Sequence, residues 1–229
     1  LSWDEREIAG ISGDQSDLAR WQGSRMVKLP RLGSRLTKPS FDSLDGLWIA
    51  GQVGDATRIW VIDTSLRPIE KATPRQISAP WLAKRTVLAL RVASDSRRVA
   101  LITSNLVGGD LQIVVTGIVR SANGVAVSLA ADPLRVGWTV TAATDLSWVD
   151  ENTLAVVGRV SPSDAVGPLL VEIGGRATAL SPIAGTRLVT NTGGVRGVVV
   201  VTDQGQVMAR AGNGWQQLQT GSDFLIPGA

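Results

Sequence analysis

Apolar residues in this chain fall in short, nearly unbroken runs that recur in a fixed order. The fullest are "LWIAG" at 47–51, "RRVALI" at 97–102, "TLAVVG" at 153–158 and "GVVVVT" at 197–202. Each is followed by a second run: "RIWVI" at 58–62, "LQIVV" at 111–115, "LLVEI" at 169–173 and "QVMAR" at 206–210. An earlier, weaker pair is "IAG" at 8–10 and "DLARW" at 17–21. A polar or Gly-containing turn comes next in most copies (Gln22-Gly23, Asn123-Gly124, Gly174-Gly175, Asn213-Gly214), then a shorter third run. Branched apolar residues punctuated by Gly and Asn predict meandering antiparallel strands. No segment of helical length repeats its apolar positions with a helical period, so the chain reads as all-β.

The runs are phased by an aspartate. Asp, three residues, then an aliphatic-Ala pair occurs at Asp4, Asp45, Asp95 and Asp150, with steps of 41, 50 and 55 residues. A degenerate fifth copy starts at Gly194 and leads to Val198-Val199. One more strand precedes each repeat, such as "LALRV" at 88–92 and "TDLSWV" at 144–149. Units of four strands at this period predict the blades of a β-propeller. The whole chain, 1–229, reads as a single five-bladed propeller domain. The first copy lacks its innermost strand, and Phe224-Leu225-Ile226-Pro227 sits at the right offset to supply it, closing the ring and removing two sheet edges. The repeat aspartates Asp4, Asp45, Asp95 and Asp150 are expected in blade turns, with carboxylates accepting backbone N–H bonds.

Composition narrows the chemistry. The chain contains no Cys, no His and no Tyr. Ser-His-Asp and Cys-His nucleophile systems are therefore excluded within it, as are Cys/His metal sites. No catalytic residue, metal site or cofactor is expected. Net charge is +3, with no basic run longer than Lys84-Arg85 or Arg97-Arg98, which argues against nucleic acid as a partner. No apolar run is long enough to span a bilayer. The chain opens at Leu1 with neither signal-like segment nor lipid-attachment Cys and reads as a domain of a larger protein. A propeller glycosidase would need two flanking carboxylates. The predicted inner strands hold few acids, and most of the eight Trp residues are expected to anchor blade packing.

The starts of the inner strands face one mouth of a propeller's central channel. Lys38, Arg91, Asp145, Arg187 and Asp223 occupy those positions. Lys38, Arg91, Asp145 and Arg187 form the candidate channel-mouth binding set, for a small ligand or glycan. Mutual pairing without a cavity would leave them a structural role.

"SRLTKPSFD", "LRVASDSRRVAL" and "LSWVDENTLAVVG", in that order, resemble the C-terminal β-propeller domain of the actinobacterial LpqB lipoprotein family. The resemblance runs over essentially the whole chain. It implies a non-enzymatic module of an extracytoplasmic protein, lipid-anchored to the outer face of the cell membrane. It also implies a GerMN-type domain preceding the propeller, and a partner in the extracellular domain of a sensor histidine kinase of the MtrA–MtrB type. On this reading the membrane is met only through a lipid anchor outside this chain.

Overall fold

Each blade of a propeller is packed on both faces by its neighbours, so its middle strands must be apolar on both. That explains the unbroken runs. The computed structural model describes residues 7–22, 25–65, 72–105, 109–191 and 197–218. Among them are twenty strands, and the sheets are antiparallel. Blade 1 contains β1 (Glu7–Ile11), β2 (Leu18–Gln22) and β3 (Arg25–Lys28). Blade 2 contains β4 (Ser40–Phe41), β5 (Gly46–Val53), β6 (Ala56–Asp63) and β7 (Arg75–Ile77). Blade 3 contains β8 (Arg85–Val92), β9 (Arg98–Asn105), β10 (Gln112–Arg120) and β11 (Ala126–Leu129), with β12 (Leu134–Val136) also pairing β10. Blade 4 contains β13 (Ala142–Trp148), β14 (Thr153–Arg159), β15 (Gly167–Glu172) and β16 (Ala177–Ala179). Blade 5 contains β17 (Thr186–Asn191), β18 (Val198–Thr202), β19 (Val207–Ala211) and β20 (Gly214–Gln217). The five sheets stand in a ring, a five-bladed β-propeller. The strand expected at Phe224–Pro227 lies outside the described residues, as do Asp4 and Asp223.

The strand period distributes side chains between successive blade interfaces. Leu47 and Ile49 of β5 enter the core shared with blade 1, while Trp48 and Ala50 enter the core shared with blade 3. Val99 and Leu101 of β9 face blade 2; Ala100 and Ile102 face blade 4. Leu154 and Val156 of β14 face blade 3; Ala155 and Val157 face blade 5. A buried aliphatic side chain contributes roughly 1.5–3 kcal/mol. A polar substitution on any of these strands is therefore costly whichever way it points.

Polar stitches run along the inner strands. Ser40 Oγ accepts from Val92 N at 3.0 Å, joining blades 2 and 3. Trp148 Nε1 donates to the Arg91 carbonyl at 3.0 Å, joining blades 4 and 3. Asn191 Nδ2 donates to the Val149 carbonyl at 2.7 Å, joining blades 5 and 4. These bonds tie blades 2 to 5 to one another and so help set the positions of their side chains at the channel.

The turns following the inner strands behave as expected at two repeats. Asp95 Oδ1 accepts from Arg97 N at 2.9 Å, and Asp150 Oδ1 accepts from Asn152 N at 2.7 Å. Asp95 also holds Arg98, which lies over the Trp148 ring of the next blade at 5.3 Å. Blade 2 differs, and the expectation for Asp45 is corrected. Phe41 pairs Leu47 where Trp148 pairs Leu154, so Asp45 is equivalent to Asn152 and not to Asp150. Asp45 takes the left-handed turn position, φ 59°, and contributes its carbonyl to Thr64 N and Oγ1. The carboxylate role passes to Asp42. Its Oδ1 accepts from Leu44 N and Gly46 N, and its Oδ2 accepts from Trp48 Nε1 and Arg120 Nη2. Gly46 is required there, since a Cβ would stand 2.7 Å from that carboxylate.

Tryptophan mostly packs the blades. Trp48, Trp60 and Trp148 are buried. Trp138 departs from that pattern: it is 70% exposed, with its indole lying against Gly175 in the β15–β16 turn.

Candidate functional site at the channel mouth

Three consecutive inner strands carry a bulge at the same level. The pairing register slips between Val87 and Ala89, between Ala143 and Asp145, and between Thr186 and Leu188. The extra residues are Leu88, Thr144 and Arg187, and all three are exposed. A bulge bends its strand and re-aims side chains. Here the bulges rim a cavity of about 380 Å³ to which every blade contributes. Blade 1 supplies the β1–β2 turn, blade 2 supplies Lys38, and blade 3 supplies Leu88 and Arg91. Blade 4 supplies Thr144 and Asp145, and blade 5 supplies Arg187 and the β18–β19 turn with Asp203. All four residues of the candidate set, Lys38, Arg91, Asp145 and Arg187, line it.

Asp145 organises the site. Its side chain is 3% exposed. Oδ1 accepts from Arg91 Nη2 at 3.1 Å. Oδ2 lies 3.5 Å from Lys38 Nζ and accepts from Val189 N at 3.2 Å. Four blades thus meet at one carboxylate. Arg91 is set deeper than its partners: Asp145 pairs Val157 of β14, and the level equivalent on β8 is Ala89, two residues before Arg91. From that depth its guanidinium also donates to the carbonyls of Leu90 at 2.7 Å and Lys38 at 3.3 Å.

Lys38 is half-buried. Burial holds its ammonium below the usual lysine value; attraction to Asp145 opposes that, and repulsion from Arg91 and Arg187 adds to it. Arg187 stands exposed at the rim with no hydrogen bond or ion pair among the described residues. Asp203, also on the lining, has its carboxylate against Gly185. Among the described residues, three cations and two carboxylates therefore surround the cavity. Lys38, Arg91 and Asp145 are paired with one another, yet the pairing leaves a cavity open and Arg187 outside it, so the structure meets neither of the simple alternatives set out from sequence.

Two parts of this lining escape an inner-strand reading: the β1–β2 turn with Ser12, Gly13 and Gln15, and the end of β18 (Val201 and Thr202) with Asp203 and Gly205 of the turn that follows. Counting strand directions finds them, because a blade's second strand returns to the mouth from which its first strand left. Among the described residues no Asp/Glu cluster is disposed to hold a metal ion.

This architecture can now be set beside known proteins. The chain matches the family described as the lipoprotein LpqB beta-propeller domain over residues 1–227. It belongs to that family. A lipoprotein LpqB from Thermobifida fusca (strain YX) is 33% identical over 144 residues, 62% of this chain and 21% of that protein. The chain thus spans about a fifth of that curated relative's length. TolB from Acinetobacter baumannii superposes with a TM-score of 0.67 at 17% identity, covering 96% of this chain and 54% of TolB. A structure from an analysis of two prolyl endopeptidases reaches a TM-score of 0.51 at 16% identity, covering 96% of this chain and 33% of that one. At such identities the last two speak for the fold alone. An LpqB propeller domain places the chain in an envelope lipoprotein. Among its described residues no helix is long and apolar enough to cross a membrane.

Proposed function

We propose that this propeller is the extracytoplasmic interaction module of a lipid-anchored envelope lipoprotein, and that it contacts the extracellular domain of a sensor histidine kinase of the MtrA–MtrB type. It acts by docking, without catalysis. The match to the LpqB propeller family over residues 1–227 carries this reading. The GerMN-type domain that the resemblance implies would precede the propeller and link it to the anchor at the outer face of the membrane.

The chemistry of the chain supports a docking role. It has no His or Cys to build a nucleophile system, and the buried Asp42 and Asp145 are tied to arginines of a neighbouring blade. For the docking face, the outer segment after β11 is the favoured region. Trp138 is 70% exposed and Leu134 53%, on one segment at the flank of blade 3. Exposed Trp is rare on a free surface and over-represented among residues that dominate interfaces.

The test is capture of the kinase extracellular domain by the 229-residue chain and, in parallel, by the full lipoprotein. Retention by both, weakened about tenfold or more by Trp138→Ala as expected of an interface anchor, supports the reading. Retention by the full lipoprotein alone moves the contact to its other domain.

A further inference from the structure

The cavity at the channel mouth has the construction of a ligand site rather than of a packing defect. Its lining is drawn from all five blades, and three of the inner strands depart from regular pairing at its rim. At about 380 Å³ it lies within the range of small-molecule pockets, roughly 300–1,000 Å³. Two kinds of surface face it. Lys38, Arg91 and Arg187 bring positive charge, and Leu36, Leu88 and Leu188 bring apolar surface.

Among the described residues the charges are not balanced in place. Asp145 alone serves Lys38 and Arg91, while Arg187 has no partner among the described residues. Arg187 lies close enough to Lys38 to disfavour its charge, and Arg91 does the same. Three cations held together by the rigid ring gain from any anion that enters. Leu88, 42% exposed on its bulge, gives an apolar body somewhere to lie. Asp203 across the mouth disfavours a second negative charge on its side.

We propose that the channel mouth binds a small organic anion, one phosphate or carboxylate group on a short apolar body, with the anionic group between Lys38 and Arg187 and the body against Leu88 and Leu188. This site is separate from the flank around Trp138 and does not depend on the kinase contact.

The experiment is a titration of the 229-residue chain, followed by NMR, with glycerol 3-phosphate and with hexanoate. The Trp148 indole N–H is the reporter, because it is bonded to the Arg91 carbonyl. A saturable shift of that signal with at least one probe is expected. Arg187→Ala should weaken binding about tenfold, the usual worth of a charge-assisted hydrogen bond. Arg187→Glu should abolish binding, and Asp203→Asn should tighten it. Trp138→Ala should leave it unchanged. Arg187 is exposed and has no bonding role, so its variants are expected to fold, and their spectra report this directly. Sedimentation with phosphatidylglycerol vesicles, against phosphatidylcholine vesicles, separates the sources. Arg187-dependent retention points to a lipid headgroup, and binding of the soluble probes alone points to a free metabolite. No saturable shift with either probe, or undiminished binding in Arg187→Glu, overturns the proposal.

Discussion

Among the described residues two aspartate–arginine pairs cross between blades, and as pairs they are nearly identical. Asp42 and Arg120 lie 3.2 Å apart, with side-chain exposures of 1% and 21%. Asp145 and Arg91 lie 3.1 Å apart, with exposures of 3% and 18%. Their surroundings separate them. Asp42 closes a turn, accepting two backbone N–H groups, the Trp48 indole and Arg120, and Arg120 also donates to the carbonyls of Gly124 and Ser96. Neither residue lines the cavity. Asp145 faces a cavity, shares itself between two cations and has a third cation nearby. A buried ion pair by itself is therefore no sign of function. Open space and an unbalanced charge beside it are what distinguish the channel mouth.

The largest expected effect tests the closed pair. Asp42→Ala strands Arg120 and the Trp48 indole in the core between blades 2 and 3, and should cost roughly 3–5 kcal/mol, the range for breaking a buried pair. Urea denaturation measures it. Asp145→Ala should cost less, about 1–3 kcal/mol, because water entering the cavity can solvate the freed Arg91 and Lys38. Equal losses in the two variants would erase the distinction. Arg187→Ala should change stability by no more than about 0.5 kcal/mol, as for an exposed side chain without partners. Thermal unfolding is a sufficient check.

The smallest effect is the pH response of Lys38. In the unfolded chain it keeps its proton up to its ordinary value of 10.5. In the folded chain it releases the proton at lower pH, because burial and its cationic neighbours disfavour the charge. Between those two values the unfolded chain binds more protons, so stability rises with pH there, and the cost of holding Lys38 charged is fully present below the folded value. Competitive amine labelling against pH should show Lys38 deprotonating below the ordinary lysine value. Lys38→Met should flatten that alkaline segment of the stability curve.

The blades were legible in the sequence because strand period, turn chemistry and the phased aspartate all repeat along the chain. "TLAVVG" at 153–158 sits where it must, with alternate residues serving blades 3 and 5. Asp45 misleads because the blade 2 turn places its bonding carboxylate three residues earlier, at Asp42, while the left-handed position also holds an Asp. Period alone cannot show which of two nearby aspartates bonds with its side chain. Lys38, Asp145 and Arg187 were legible as channel residues because every inner strand begins at the same mouth. The bulges at Leu88, Thr144 and Arg187 were not, since a bulge adds one residue without altering the apolar pattern on either side. Residue type assigns most Trp to packing without saying which departs, and only the pairing of β12 with β10 reveals the position of Trp138 at the flank. Closure of the ring by Phe224–Pro227 concerns residues outside those described.

The measurement that bears most directly on the contrast is the unfolding free energy of Asp42→Ala and Asp145→Ala in phosphate and in chloride at matched ionic strength, so that general screening is equal. Phosphate should restore part of the stability lost in Asp145→Ala, by standing in for the missing carboxylate between Lys38 and Arg91, and should restore none in Asp42→Ala. The same phosphate response in both variants, or in neither, would contradict an anion-accepting mouth.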